Sequence, residues 1–227
     1  MKETKQASGK EKTMTRLILI RHGQSETNLE RAFTGQKDVG LSETGIEQAK
    51  RAALYCSRRF PEISAVYTSD LKRAADTARP LAEMLALPLI ERKDLREICV
   101  PAWQGMRFKD IEEKYPEESK VWFDNIGAFR GPDGESMREA AKRAIRELRV
   151  ICAEHPDETV AVITHVTLIR AMQTLWSGGT LLDMKDTPFV VNASVTVARY
   201  EDGNFTLEEA GTCEHLDGLI THMPGRE

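Results

Sequence analysis

The chain has 227 residues, four cysteines and a formal net charge of −4, from 32 basic and 36 acidic residues spread along its length. That length suits one large α/β domain, with no Pro/Gly/Ser-rich linker to divide it. The charge balance points to neither nucleic acid nor an anionic membrane as partner, so any anion must be held locally.

In chain order, the first thirteen residues, MKETKQASGKEKT, lack the apolar core of a signal peptide and are predicted to be a flexible tail. Residues 14–227 then form the domain. Leu17 to Ile20 is too short and too branched for a helix and reads as a strand buried on both faces. Strict alternation would send Arg21 and His22 to opposite faces, so the strand must give way to a turn there, with Gly23 supplying backbone freedom. In LSETGIEQAKRAALYCSRRF, Ser42 is a good N-cap, and Ile46, Ala49, Ala53 and Leu54 recur at helical spacing, which predicts a helix of about four turns. ISAVYTS, residues 63–69, is a short strand. The next helix has Asp70 as its expected cap and Pro80 as a candidate kink.

PLIERKDLRE reads as a short strand leading into a loop. Periodicity fades from Pro101 to Asp133, a small variable segment of short helices and loop over the strand ends. From Gly134 the clearest helix places Met137, Ala141, Ala144, Leu148 and Ile151 on one apolar stripe. TVAVITH repeats the opening pattern, an aliphatic strand ending in histidine, and a helix follows it. NASVTVARYEDGNFTLEEAGTC is a hairpin turned at Asp202-Gly203-Asn204. Strands alternating with helices predict a three-layer α/β/α sandwich: a mostly parallel sheet covered on both faces, with an antiparallel edge from the last hairpin.

Four of these elements deliver chemistry to one place. In open α/β sheets, ligands bind beyond the carboxyl ends of the strands. Strands ending in His22 and His165 reach that edge, Arg73 lies in the first turn of a following helix, and Glu97 follows the third strand. Each is unremarkable alone; their coincidence is not. Two arginines with two imidazoles suit a compact dianion, because guanidinium groups pair with phosphate oxygens and stay charged. The helix after His165 adds a positive dipole end with free N–H groups. A cationic surround keeps an imidazole neutral and therefore nucleophilic. Glu97 is the one carboxyl group expected at that edge to protonate a leaving alcohol.

LILIRHGQSETN, FTGQKDVGLSETGIEQA, VYTSDLKRAADTA, LREICVPAWQG, DGES and VITHVTLIR together resemble the histidine phosphatase superfamily, also called phosphoglycerate-mutase-like. The segments occur in family order from about residue 16 to residue 170, with the closing hairpin behind them. The resemblance implies that His22 carries the phosphoryl group, that Arg21, Arg73 and His165 hold its oxygens, and that Glu97 donates the proton. It also implies a substrate side lined by Asn28, Thr34, Gly35 and Gln36, and neither metal nor organic cofactor. The chain departs from the pattern where Val166 and Thr167 replace the usual glycine after the second histidine, and where Pro101 and Gln104 replace a glycine and a glutamate of the acid segment. Val166 keeps a backbone N–H for phosphate, while its Cβ narrows the pocket wall.

Mutases of this family that use a bisphosphorylated primer carry a longer, arginine-rich insertion after the acid segment. Here 28 residues, Met106 to Asp133, separate WQG from GES and hold two arginines, Arg107 and Arg130. That favours a phosphatase acting on a small phosphomonoester over a mutase. A non-catalytic phospho-ligand module would need neither His22 nor Glu97. A metal-dependent hydrolase built on His22, His165 and Glu97 would set its cation against two arginines. The aromatic residues Trp103, Phe108, Trp122, Phe123 and Phe129 read better as the core of the variable segment than as a pocket wall. Both a monomer and a homodimer remain compatible with the sequence.

No apolar stretch approaches the roughly 20 residues of a membrane span. Cys56, Cys99, Cys152 and Cys213 lie far apart, without metal-ligand spacing. They fit ordinary thiols of a reducing, cytoplasmic compartment.

Overall fold

A computed structural model describes residues 13–221. Of the tail expected over residues 1–13, only Thr13 lies among the described residues. Strand β1 (Met14–Arg21) is followed by a single helical turn, α1 (Glu26–Leu29), and by α2 (Glu43–Arg59). Next come β2 (Ile63–Thr68), α3 (Lys72–Leu85) and β3 (Leu89–Glu91). The variable segment holds α4 (Phe108–Lys114) and α5 (Pro116–Asp124) between short 3-10 turns. The chain continues with α6 (Met137–Glu154), β4 (Thr159–Thr164), α7 (Val166–Trp176) and the hairpin β5 (Val195–Glu201) and β6 (Asn204–Thr212).

The six strands form one sheet in the order β3-β2-β4-β1-β5-β6. The first four run parallel, and β5 pairs antiparallel with both β1 and β6. Asp202 and Gly203 both take positive φ, 52° and 82°, the conformation that a two-residue hairpin turn requires. Strand β1 is buried on both sides, as its sequence predicts. Leu17 and Leu19 pack with α6 and α7, while Ile18 and Ile20 pack with α2 and α3. Each such side chain contributes about 1.5–3 kcal/mol by leaving water, which anchors the strand whose end carries Arg21 and His22.

Three local expectations are corrected. Asp70 does not cap α3; the N-cap is Leu71, and Asp70 instead receives two hydrogen bonds from Arg96, both 2.6 Å. Ile46 and Leu54 lie on the exposed side of α2. The buried side is built from smaller residues, Gly45, Ala49, Ala52, Ala53 and Cys56, which let the helix approach its neighbours closely. Gly23 has no positive φ; it is required for space, since a Cβ there would lie 2.5 Å from the Gly45 carbonyl oxygen. Helix α3 continues through Pro80 as one element.

Candidate active site

Beyond the carboxyl ends of β1 and β4, the chain leaves a pocket of about 100 Å³, several waters' worth of space. Arg21, His22, Arg73 and Glu97 line it together with Asn28, Thr34, Gly35 and Val166. The β1/β4 ladder continues one step past Arg21, through the His22 N–H to the Thr164 carbonyl at 3.0 Å. Next to it, the Gly23 N–H donates to the Thr77 hydroxyl at 2.9 Å. The nucleophile candidate therefore stands on fixed backbone.

The hydrogen bonds assign the ring tautomers. His22 Nδ1 lies 2.7 Å from the Gly23 carbonyl oxygen, which can only accept, so Nδ1 carries the proton and Nε2 the lone pair. Arg73 Nε, which can only donate, faces that Nε2 at 3.4 Å. His165 takes the opposite tautomer. Its Nδ1 accepts from Arg73 Nη2 at 3.2 Å, which places the proton on Nε2. That atom is buried and has no hydrogen-bond partner among the described residues. The two rings lie 5.1 Å apart between centroids. Both histidines are held well below their ordinary pKa, chiefly by burial and then by the nearby Arg73 charge. Burial also lowers Arg21 to about 9 and Arg73 to about 10, which leaves both charged at neutral pH. The site thus combines two neutral imidazoles with two guanidinium groups.

Each charged group has its own support. Arg73 also donates to the carbonyls of Gly35, at 2.8 Å, and Lys37, at 3.0 Å. Arg21 donates to the Val190 carbonyl at 2.6 Å and lies over the Phe189 ring, 5.0 Å from its centroid. Glu97 accepts from its neighbour's N–H, Ile98, at 2.8 Å and meets the Thr167 hydroxyl. The Thr167 N–H also points to it, at 3.4 Å. One of the N–H groups expected to be free at the start of α7 is therefore turned toward the Glu97 carboxyl group.

The sequence profile of the histidine phosphatase superfamily (branch 1) matches residues 17–212. The chain belongs to the histidine phosphatase superfamily. A bifunctional protein of Mycobacterium tuberculosis is 38% identical over 165 residues, 73% of this chain but 45% of that protein; the chain spans about half the length of this relative. A metal-independent phosphoserine phosphatase of Arabidopsis thaliana is 32% identical over 211 residues, 92% of this chain and 86% of that one. Among solved structures, YhfR of Bacillus stearothermophilus superposes with a TM-score of 0.84 at 27% identity, over 89% of this chain and 99% of that one.

In this histidine phosphatase fold, eight of the ten residues singled out in the sequence reach the pocket wall: Arg21, His22, Asn28, Thr34, Gly35, Arg73, Glu97 and Val166. His165 is fully buried beside His22 rather than part of the wall. Gln36 is turned away, its amide donating to the Glu97 carbonyl at 2.9 Å. Sequence reasoning missed Gln24, Thr167, Phe189, Asn192 and Thr221, which also line the pocket. Asn192 donates to the His22 carbonyl at 2.9 Å and accepts from the Thr221 hydroxyl at 2.9 Å. The signal for Phe189 and Asn192 is the antiparallel hairpin: a reversed strand brings its entrance, not its exit, to the edge that carries the pocket. The aromatic residues divide between two roles. Trp103 and Phe129 are core, whereas Phe108 and Trp122 also line the pocket. Among the described residues no helix is long and apolar enough to cross a membrane.

Proposed function

We propose that the protein is a phosphatase that hydrolyses a small phosphomonoester through a phosphohistidine at His22. The observation that carries this reading is the tautomer pair: a lone pair on His22 Nε2, and a buried proton on His165 Nε2 that lacks an acceptor. A phosphoryl group taken up on His22 Nε2 would replace the long 3.4 Å contact from Arg73 there and would offer the His165 proton an oxygen acceptor. His22 Nε2 attacks phosphorus and the ester P–O bond breaks, while Glu97 passes a proton to the leaving oxygen. Arg21, Arg73 and His165 donate to the equatorial oxygens, where charge is spread in the transition state. Water then attacks the phosphohistidine, gives its proton to Glu97 and restores His22.

Arg107 is exposed and Arg130 is paired with Glu139 at 2.9 Å; neither lines the pocket. This supports hydrolysis over mutase-type transfer, since neither can grip a second charged end of the substrate. The similarity to a metal-independent phosphoserine phosphatase points the same way. One observation favours the mutase reading instead: Arg31 lies on the pocket wall. A screen of phosphomonoesters, including O-phosphoserine, with 3-phosphoglycerate and its bisphosphate primer run alongside, separates the two. We expect inorganic phosphate release that excess chelator leaves unchanged. Primer-dependent isomerisation without phosphate release would refute hydrolysis.

A further inference from the structure

Arg143 lies on α6 and is not among the residues that line the pocket. Its guanidinium nevertheless reaches the segment that carries Glu97. Nη1 donates to the carbonyls of Asp94, at 2.8 Å, and Arg96, at 2.9 Å, and Nη2 points to the Glu97 carbonyl at 3.4 Å. The same guanidinium grips Glu135 side-on, with Nε to Oε1 and Nη2 to Oε2 both at 2.9 Å. Glu135 completes the clamp from the other end: its carboxylate accepts the Cys99 N–H at 2.9 Å, and its own N–H donates to the Cys99 carbonyl at 2.7 Å.

This segment needs such support. After the 3-10 turn Lys93–Leu95, residues 96–100 belong to no helix or strand, so no ladder of main-chain bonds fixes where Glu97 stands. Side chains supply the bonds instead. Gln36 holds the Glu97 carbonyl at 2.9 Å, and Arg96 is locked to Asp70. The Gly134-Glu135-Ser136 run follows from the same geometry. A Cβ at Gly134 would lie 2.0 Å from the Cys99 carbonyl oxygen, Glu135 grips Arg143, and Ser136 caps α6. The Arg143–Glu135 pair is mostly buried, at 15% and 24% side-chain exposure. It therefore escapes much of the solvent screening that weakens surface pairs.

We propose that the Glu135–Arg143 pair is the positioning device for the proton donor, setting the place of Glu97 relative to the leaving oxygen; this rests on the reading of Glu97 as general acid. A general acid must come within about 2.6–3.2 Å of the atom that it protonates, and a displacement of about 1 Å costs on the order of 100-fold. Arg143 touches no reacting atom, so its effect passes through Glu97 and follows the substrate's need for a proton. The readout is kcat/KM, which reports bond breaking up to departure of the alcohol, on glycerol phosphate and on p-nitrophenyl phosphate.

For Arg143→Lys we expect a loss of roughly 10- to 100-fold on glycerol phosphate and under about three-fold on p-nitrophenyl phosphate, whose leaving group departs without a proton. Glu135→Gln keeps the side-chain shape and one acceptor oxygen, and it should show the same split in a chain that folds even if Arg143→Lys does not. Adding Arg143→Lys to Glu97→Gln should cost little beyond Glu97→Gln alone, because the two act on one step. Equal losses on both esters, or full additivity with Glu97→Gln, would show that the pair merely supports the fold and would overturn the proposal. If Glu97→Gln itself slows both esters equally, the general-acid reading fails and the proposal falls with it, an outcome recognisable from that single variant.

Discussion

Arg73→Lys retains the charge but removes the planar fork, and the structure shows how much rests on that fork. Arg73 is 1% exposed and donates to four acceptors: His22 Nε2, His165 Nδ1 and the carbonyls of Gly35 and Lys37. A lysine ammonium is a single point with three donors and cannot span two ring nitrogens and two carbonyls at once. Losing one transition-state donor costs about 2.7–4 kcal/mol, and partial replacement by the ammonium lowers the floor, so we expect a rate loss of roughly ten-fold to a thousand-fold. Buried acceptors left unpaired cost stability as well, about 1–3 kcal/mol each. Steady-state kinetics and urea denaturation should therefore both move. A variant with wild-type kcat/KM and an unchanged midpoint would refute the account of Arg73 as the group that orients both imidazoles.

Two further perturbations follow from the geometry. Gly45→Ala would place a Cβ 2.0 Å from the Gln24 carbonyl oxygen, forcing backbone apart two residues from His22. We expect a cost of about 1–3 kcal/mol, read in a thermal melt as roughly 2–4 °C per kcal/mol. Gly40→Ala, whose Cβ meets only Lys72 Cε at 3.8 Å, serves as the control and should melt like the wild type. Stability should also depend on pH through the two buried histidines. Their folded-state pKa values are depressed by burial and Arg73, so below about 6.5 the unfolded chain binds more protons than the native one and stability falls with falling pH. Each histidine contributes a slope of up to about 1.4 kcal/mol per pH unit. His165→Gln should remove one such share between pH 6.5 and 5.5; an unchanged slope would mean that His165 titrates normally.

The sheet and the gathering of Arg21, His22, Arg73 and His165 at one of its edges were legible because both depend on local pattern. Leu17 to Ile20 and Val160 to Ile163 are apolar runs that only a doubly covered strand can bury, and a histidine stands two residues past each. Arg73 was legible from its place just after a strand. What escaped depends on long-range return of the chain. Asn192 reaches the His22 carbonyl across 170 residues of sequence, and Arg143 reaches the acid segment from the middle of a helix whose apolar stripe says nothing about its polar side. Ile46 and Leu54 misled because spacing alone does not tell which side of a helix meets the sheet. Small residues won that contact by allowing closer packing.

The central claim is a covalent phosphohistidine at His22. Rapid mixing with a turned-over phosphomonoester labelled in its phosphoryl group, quenched in alkali within milliseconds and followed by peptide mapping, tests it directly. The account predicts alkali-stable, acid-labile label on the peptide containing His22, forming before steady-state phosphate release and absent in His22→Ala, which should not turn over. Wild-type turnover by His22→Ala, or label on another residue, would contradict it.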